Sequence, residues 1–434
     1  MKGYLNHLIS MILCVVLTIA TGFIAPNPTP APAPQPAVTV SQNSEHSVSA
    51  QELKRILESD PELMKLMEKS IAKAHEINPD PNTNPVSSVE KFYDFLDWVV
   101  KAVPWRVLKN ADYPTIYDHI DVGLDCLWFL LDQPLEELEG KGYYYPTLQY
   151  HEPIASWCKT HSDDWGAFLS SEESWNDEYY ETIKNDPSMN MQYGWYADHN
   201  IWHSFNDWFS RHLSDPSVRP IADSAVVSPA DSKPQGIWNI DGDGNLIQKE
   251  GVDIKSANFT SISQLIGPDS AYKDAFKGGT LTHTFLDVND YHRYHFPVSG
   301  KILEVRKIPG VNGAGGITEW NPEKKRYTLA DTIPGWQMIE TRDRVIIDTG
   351  EYGLAAILPI GMSQICSCNW EDTVKVGAEV KKGDPMGYFL FGGSDIVMVF
   401  QADVNSELLC PQNENGTGYK HILMGEPYLN LTRK

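Results

Sequence analysis

The chain has 434 residues, enough for two domains, and its 41% hydrophobic and 21% charged residues are typical of a globular protein with a sizeable core. The formal net charge of −23 excludes the basic surface that binds nucleic-acid phosphates, so no nucleic-acid partner is expected. The same charge opposes broad electrostatic docking on an anionic membrane.

The N-terminus differs in composition from the rest of the chain. Lys2 is followed by an apolar run at residues 8–24, so residues 1–24 are predicted to be a signal peptide or a membrane anchor. Residues 25–48 include the Pro-rich stretch PNPTPAPAPQP, which predicts a stiff, extended linker. Together the two segments predict an exported protein of the cell envelope or periplasm, and they leave membrane association open.

Residues 49–215 are predicted to form a largely helical domain. Ser49 and Glu52 have the spacing of a capping box at the start of a helix. This half also holds most of the 13 tryptophans, which are expected to lie mainly in the core. Apolar residues follow the helical period in three stretches: 53–67, with a break or new start at Pro61, 89–103 and 116–131.

Residues 216–434 show a different pattern, in which short β-branched runs alternate with Gly, Pro, Asn and Asp. This pattern predicts a β-rich domain that resembles a barrel or a sandwich. The expected fold class is therefore α+β, with a helical N-terminal domain followed by the β-rich domain. The predicted strands are 225–228, 300–308, 344–349, 354–360, 373–376, 386–390 and 396–402.

No metal site is predicted in either half. Cys366 and Cys368 are too close together for half of a zinc site, and no second pair matches them. Residues 241–245 (DGDGN) look like the start of a calcium loop. The sixth-position glycine is missing, however, and Val252 stands where a bidentate Glu would bind. We therefore interpret this segment as a hairpin turn.

Three short segments of the β-rich half carry the candidate chemistry: Ser228–Asp231, Asp290–Pro297 and Phe391–Ile396. Each is weak alone, since Pro-Ala-Asp and Gly-Gly-Ser are ordinary turn sequences. His292 and His295 would point to opposite faces of a strand, which predicts that the two side chains have different roles.

In this order and spacing, the three segments resemble the phosphatidylserine decarboxylase family of self-processing, pyruvoyl-dependent decarboxylases. The resemblance begins near Ser204 and includes residues 205–211, Arg219 with Pro220, and residues 376–389. A shorter stretch, residues 164–171, resembles the N-terminal domain of the branch that contains the pyruvoyl tryptophan decarboxylases, which act on a free aromatic amino acid.

The family resemblance implies that the chain cuts itself between Gly393 and Ser394. Ser394 would attack the carbonyl carbon of Gly393, with His295 as the base and Asp231 orienting the His295 imidazole. Glycines at positions 392 and 393 suit a strained turn with an unhindered carbonyl group. The products would be a long subunit, residues 1–393, and a short subunit, residues 394–434, which stay associated.

The resemblance further implies that Ser394 becomes a covalent pyruvoyl group, with no metal or diffusible cofactor. The substrate amine would condense with this group as a Schiff base, CO2 would leave, and His292 would deliver a proton. The apolar N-terminal run favours phosphatidylserine as substrate, giving phosphatidylethanolamine. The helical domain favours a free, aromatic L-amino acid. An inactive envelope binding protein on the same fold is the alternative, and a homodimer is left open.

Two residues depart from the family pattern beside the reactive positions. Ser232 follows Asp231 where the family has glycine, which predicts a tighter or differently hydrogen-bonded turn. Asp395 follows Ser394 where a small hydroxyl or apolar residue is usual. Its carboxylate would either slow cleavage by opposing the build-up of negative charge or contact the amine of the substrate.

Overall fold

The structure is a computed structural model that describes residues 46–104, 120–141, 144–247, 261–313, 316–330, 335–361, 367–392, 394–416 and 418–434. The predicted signal or anchor and almost all of the Pro-rich linker lie outside these ranges, as does Gly393. Within the described ranges, no helix is both long and apolar enough to cross a membrane.

Most of the α-helices lie in the N-terminal half, as the sequence predicts. The first begins at Val48, because the Ser47 hydroxyl accepts a hydrogen bond from the Ala50 N–H group; Ser49 is buried inside the helix and is not its cap. The helices are α1 (Val48–Ser59), α2 (Pro61–Ile77), α3 (Val89–Val99), α4 (Ile120–Leu131), α5 (Ile154–Leu169), α6 (Asp177–Asn185), α7 (Phe205–Phe209) and α8 (Ile262–Ile266).

The C-terminal half consists mainly of strands. The predicted strand at residues 373–376 is wrong, because Val374 and Ala378 N–H groups bond to the nearby carbonyls of Glu371 and Lys375 in successive turns. The strands are β1 (Val226–Val227), β2 (Lys233–Ile240), β3 (Leu246–Ile247), β4 (Thr280–Leu286), β5 (Arg293–His295), β6 (Gly300–Ile308), β7 (Ile317–Asn321), β8 (Arg326–Ala330), β9 (Arg342–Asp348), β10 (Leu354–Gly361), β11 (Cys368–Trp370), β12 (Glu379–Val380), β13 (Pro385–Phe389), β14 (Ser394–Phe400), β15 (Val404–Leu408) and β16 (Pro427–Arg433).

An eight-stranded antiparallel sheet forms the centre of the described structure. Its strand order is β12-β6-β9-β10-β14-β4-β2-β3, so β14 lies between β10 and β4. Three smaller sheets, β1-β16-β15, β11-β13-β5 and β7-β8, accompany it. The described strands form no closed barrel, so the mixed α+β class and the β-rich half are confirmed but the barrel is not.

The central sheet is covered on both faces, which explains why β14 is apolar along nearly its whole length. On one face, Val397 and Val399 pack in a core with residues of α1 to α5. On the other face, Ile396 and Met398 pack with Trp165 and with α7. Because Trp165 of α5 and residues of α7 belong to the same core as Ile396, these two helices lie close to the residues that begin β14.

Candidate functional site

Ser394 is the first residue of β14 and is completely buried. It pairs in register with Gly361 of β10 and Leu286 of β4, which fixes its backbone in the middle of the sheet. Its Oγ lies 3.4 Å from the carbonyl oxygen of Gly392. Gly392 has a φ of 144°, a conformation that side chains disfavour, so the predicted glycine turn before Ser394 is present at this residue. Gly393 lies outside the described residues.

Asp231 is held by a buried ion pair. The Arg219 guanidinium donates two hydrogen bonds to its carboxylate, at 2.9 and 2.6 Å, and the Met424 N–H group donates a third at 2.8 Å. Both side chains of the ion pair are almost fully buried, and the guanidinium also lies 4.2 Å from the centre of the Trp195 ring. Such a charge-assisted, bidentate pair fixes the carboxylate in one orientation.

Ser232 fits this turn through its hydroxyl group. It donates to the Ala230 carbonyl at 3.1 Å and accepts from the Thr284 hydroxyl at 2.7 Å. Thr284 lies on β4 opposite Ile396 of β14, so the hydrogen bond ties the turn to the same face of the sheet that Ser394 occupies. Serine in place of glycine therefore makes the turn differently hydrogen-bonded, which is one of the two outcomes that the sequence predicts.

His295 ends β5 and is nearly buried. Its Nδ1 lies 2.8 Å from the Gly383 carbonyl oxygen, which can only accept, so Nδ1 carries the proton and Nε2 carries the lone pair. Nε2 lies 3.1 Å from the Tyr291 hydroxyl, which donates to it. Burial lowers the pKa of His295 to about 4 and raises the pKa of Tyr291, so the imidazole is neutral and can accept a proton.

The implied contact between Asp231 and His295 is absent from the described structure. The carboxylate is satisfied by Arg219 and a backbone N–H group, while both ring nitrogens of His295 have other partners. A buried guanidinium offers two charged hydrogen bonds, which a neutral imidazole cannot match. Asp231 still acts on His295 through its charge, because the carboxylate opposes the lowering of the His295 pKa.

His292 lies on the other side of the same segment, against the helical half. Its Nδ1 is 3.0 Å from the Asp290 carbonyl oxygen, which places the proton on Nδ1 and leaves the lone pair on Nε2. The ring stacks on Phe209 of α7 with 3.7 Å between ring centres. Burial, together with the nearby charge of Arg211, lowers the pKa of His292 well below its usual value. Both histidines are therefore neutral bases near neutral pH.

Aromatic side chains from the helical half cover the segment that precedes Ser394. Phe391 packs edge-on against Trp165, Phe205 and Phe209, with ring centres 5.3 to 5.5 Å apart. The Asn206 side-chain oxygen accepts from the Phe391 N–H group at 3.0 Å. Because these residues are buried, the candidate site is enclosed by α5 and α7.

Two residues near the C-terminus, His421 and Ile422, contact the segments that contain Asp231 and His292. The backbone of Ile422 pairs with that of Ser232 through two 2.9 Å hydrogen bonds. The side chain of His421 bonds to the buried carboxylate of Asp290 at 2.8 Å. Asp290 thus contacts two histidines: its carboxylate bonds to His421, and its backbone carbonyl bonds to His292.

The structure thus brings the three motif segments together on one face of the sheet. Within the described residues, however, neither histidine ring is hydrogen-bonded to the Ser394 hydroxyl. No group of three or more His, Cys, Asp or Glu residues suited to a metal occurs there either. Sequence reasoning missed Tyr291 and Phe209 as contacts of the histidines, although both lie in segments that resemble the family.

The comparisons with known proteins agree with this arrangement. The model of the family described as phosphatidylserine decarboxylase matches residues 205–430, just over half of the chain. The chain is 29% identical over 231 residues to the phosphatidylserine decarboxylase proenzyme of Fusobacterium nucleatum, which covers 52% of this chain and 70% of that protein.

Amino-acid decarboxylases are similar as well. The chain is 26% identical over 294 residues to the L-tryptophan decarboxylase of Psilocybe cyanescens, covering 57% of this chain and 62% of that protein, which is less than two thirds. It is 27% identical over 272 residues to the decarboxylase iboD of Amanita muscaria, covering 56% of this chain and 75% of that protein.

Fold, site and relatives together define a carboxy-lyase, a decarboxylase that is made as a proenzyme. The chain belongs to the phosphatidylserine decarboxylase family. Both resemblances expected from the sequence, to this family and to its tryptophan decarboxylase branch, are confirmed.

Proposed function

We propose that the chain cuts itself between Gly393 and Ser394, forms a pyruvoyl group at position 394 and uses it to remove CO2 from an amino-acid substrate. One observation carries the proposal: Ser394 is a buried serine at the start of a central strand, preceded by a glycine turn, and the family's other two segments pack in the core on the same face of the sheet. Within the described residues, the Ser394 hydroxyl has a single, long hydrogen bond, to the Gly392 carbonyl at 3.4 Å.

The residues around position 394 fit a pyruvoyl group. The site is enclosed by apolar and aromatic side chains, which exclude water, and two neutral histidines lie among them. A pyruvoyl group supplies a carbonyl that binds the amine of the substrate and accepts the electrons left when CO2 departs. The other tasks fall to side chains of the chain itself.

His295 is suited to the cleavage step. Its Nε2 takes the proton of the Ser394 hydroxyl after exchanging its hydrogen bond from Tyr291 for one from the serine. The serine oxygen then bonds to the carbonyl carbon of Gly393, the C–N bond to residue 394 breaks, and an ester forms. Elimination of the ester frees the carboxylate of Gly393, and hydrolysis of the remaining residue releases ammonia. Asp231, held by Arg219, acts on His295 through its charge, which favours the protonated imidazole.

His292 is suited to the decarboxylation step. Because Nε2 holds the lone pair, it accepts a proton from the ammonium group of the substrate, which must be neutral to react. The same nitrogen then returns the proton to the carbon that has lost CO2. The Asp290 carbonyl fixes the ring orientation from one side and Phe209 fixes it from the other.

For the substrate, we propose a free aromatic L-amino acid. The enclosure of the site by α5 and α7 favours a small substrate, and the net charge of −23 opposes approach to an anionic lipid surface. Relatives named for tryptophan decarboxylation lend support. Phosphatidylserine is the second candidate, favoured by relatives named phosphatidylserine decarboxylase proenzyme.

CO2 release from the purified protein tests the proposed function. We expect release with free Trp, Tyr or Phe, less with Ser, and little with phosphatidylserine vesicles. Release from phosphatidylserine vesicles alone would select the lipid as substrate. Release from neither the amino acids nor the vesicles would contradict the proposed activity and favour an inactive binding protein.

The variant His292→Asn should leave cleavage intact but lower CO2 release by at least about 100-fold, since general acid–base catalysis contributes roughly that much.

We also propose that the protein is exported, on the strength of the apolar run at residues 8–24 and the Pro-rich linker that follows. Cell fractionation should find the protein in the envelope or periplasm. Recovery of the protein in the cytoplasmic fraction would contradict this localisation.

A further inference from the structure

Asp395, which departs from the family pattern beside the proposed cleavage point, has a hydrogen-bond partner in the structure. Its Oδ2 lies 2.8 Å from Nδ1 of His283 on the neighbouring strand β4, and its side chain is 1% exposed. Its other oxygen, Oδ1, is buried and has no hydrogen-bond partner in the part of the chain that the structure describes. A buried carboxylate is costly unless it is paired, so the contact with His283 accounts for its presence.

Asp395 points away from the reactive face of the sheet. Successive side chains of a strand alternate, so Asp395 lies on the face opposite to Ser394. Its register partner on β4 is Phe285, and His283 lies two residues further along the same face, opposite Val397. This direction removes the sequence-based expectation that Asp395 contacts the amine of the substrate.

Three strands are linked through this carboxylate. The His283 ring stacks on Trp238 of β2, with 5.1 Å between ring centres and 25° between ring planes. The Trp238 ring in turn covers Gly236, where an added Cβ would lie 3.0 Å from the ring. Asp395, His283 and Trp238 thus connect β14, β4 and β2 on the face of the sheet opposite to Ser394.

The link depends on strand register. A slip of β14 by one residue would turn Asp395 to the opposite face and leave its charge without His283. It would also turn the residue 394 side chain away from the histidines. Cleavage then makes residue 394 the free end of a strand, and strand ends open most readily.

We propose that the Asp395–His283 pair is a positioning device that holds residue 394 in register, both for self-cleavage and for decarboxylation afterwards. The inference rests on the proposed function, because it concerns the residue that would become the pyruvoyl group. The pair touches neither substrate nor reacting atoms; it acts through the backbone of β14.

The test compares cleavage rates of newly made protein, followed by the appearance of the short fragment. Asp395→Leu and His283→Leu should each slow cleavage about tenfold or more, since a hydrogen bond to a charged group is lost. Asp395→Asn retains an acceptor for His283 and should stay within about threefold of wild type. The double Leu variant should be no slower than the slower single variant, because both changes remove one interaction.

Thr280→Val is the matched control. It removes a 2.9 Å hydrogen bond between Thr280 and Ser406 at the far end of β4, opposite Phe400, so it should leave the cleavage rate unchanged. In the cleaved fraction of the Leu variants, kcat per titrated pyruvoyl site should fall while KM changes little; loss of folded protein would lower the number of sites but not the kcat of each.

The outcomes separate the inference from the proposed function. Wild-type protein that cleaves, beside Leu variants that cleave equally fast with the same kcat, would overturn the inference alone. Slowing of Thr280→Val to the same degree as Asp395→Leu would also overturn it, since any damage to β4 would then suffice. Wild-type protein that never cleaves would overturn the proposed function and this inference with it.

Discussion

Arg219 is the residue on which the charge balance of the site depends. Its guanidinium is buried together with the Asp231 carboxylate, and their two hydrogen bonds compensate both charges. Burial opposes the charged form of Arg219, but the hydrogen bond and charge of Asp231 prevail and raise its pKa. The Arg219 guanidinium therefore keeps its charge although it is buried.

Arg219→Met should destabilise the protein by about 3–5 kcal/mol, because it leaves a buried carboxylate without its cation. Chemical denaturation in a Ser394→Ala background, chosen to keep the chain in one piece, measures the change. Arg433→Met is the control: its ion pair with Asp403 is half-exposed and should contribute less than about 1 kcal/mol. A loss of less than about 1 kcal/mol in Arg219→Met would show that the buried pair is not needed.

This contact shows what the sequence could not reveal at the residue scale. The resemblance pointed to Asp231, His292, His295 and Ser394 by their order along the chain. It did not predict that Asp231 bonds to Arg219 and Met424, because residues in turns are brought together by packing rather than by periodicity. The partner of Asp395 was likewise not predicted, because His283 reaches it only through the pairing of β4 with β14.

At the scale of elements, α5 carries an aromatic stack from the helical core towards the site. Trp157, His161 and Trp165 follow one another at intervals of four residues, and Trp165 contacts Phe391. The His161 ring is fully buried, and neither of its nitrogens has a hydrogen-bond partner in the described residues. Burial lowers the pKa of His161 to about 3, so the helix packs with a neutral imidazole.

His161 should make the fold sensitive to acid. As the pH falls below about 6.5, His161 becomes protonated in the unfolded chain but stays neutral in the folded chain. The free energy of unfolding therefore decreases as the pH is lowered from about 6.5 to about 3. Between pH 7.5 and 5.5, His161→Phe should lose about 1.4 kcal/mol less stability than its parent. Denaturation of the Ser394→Ala protein at both pH values measures this difference, with the exposed His203→Phe as control. Equal losses in His161→Phe and its parent would refute the assignment.

Helices and strands with a clear apolar or amphipathic pattern were predicted well, whereas strands of mixed composition were not. The apolar runs that became β6, β10 and β14 and the amphipathic α3 were found in the sequence. Strands β2, β4 and β16 were missed, because they contain Pro, Gly, His and several Thr or Asn residues that weaken the alternation. Long-range pairing stabilises these strands, and such pairing leaves no local signal.

At the scale of the whole molecule, residues 394–434 are interleaved with the rest of the chain. Strand β14 lies between β10 and β4, and β16 pairs with β1 beside the Asp231 turn. A chain cut before Ser394 would therefore remain a single folded body. The prediction of domains 49–215 and 216–434 stays a prediction, since both cores of the structure contain residues from both.

The central claim, self-cleavage at Ser394, is tested most directly by the mass of the purified wild-type protein after denaturation. We predict two fragments, a long one ending at Gly393 and a short one covering residues 394–434. The short fragment should be lighter, by one ammonia molecule, than a peptide that begins with serine. Ser394→Ala should give one uncut chain. A single full-length wild-type chain, or a short fragment that begins with unmodified serine, would contradict the account.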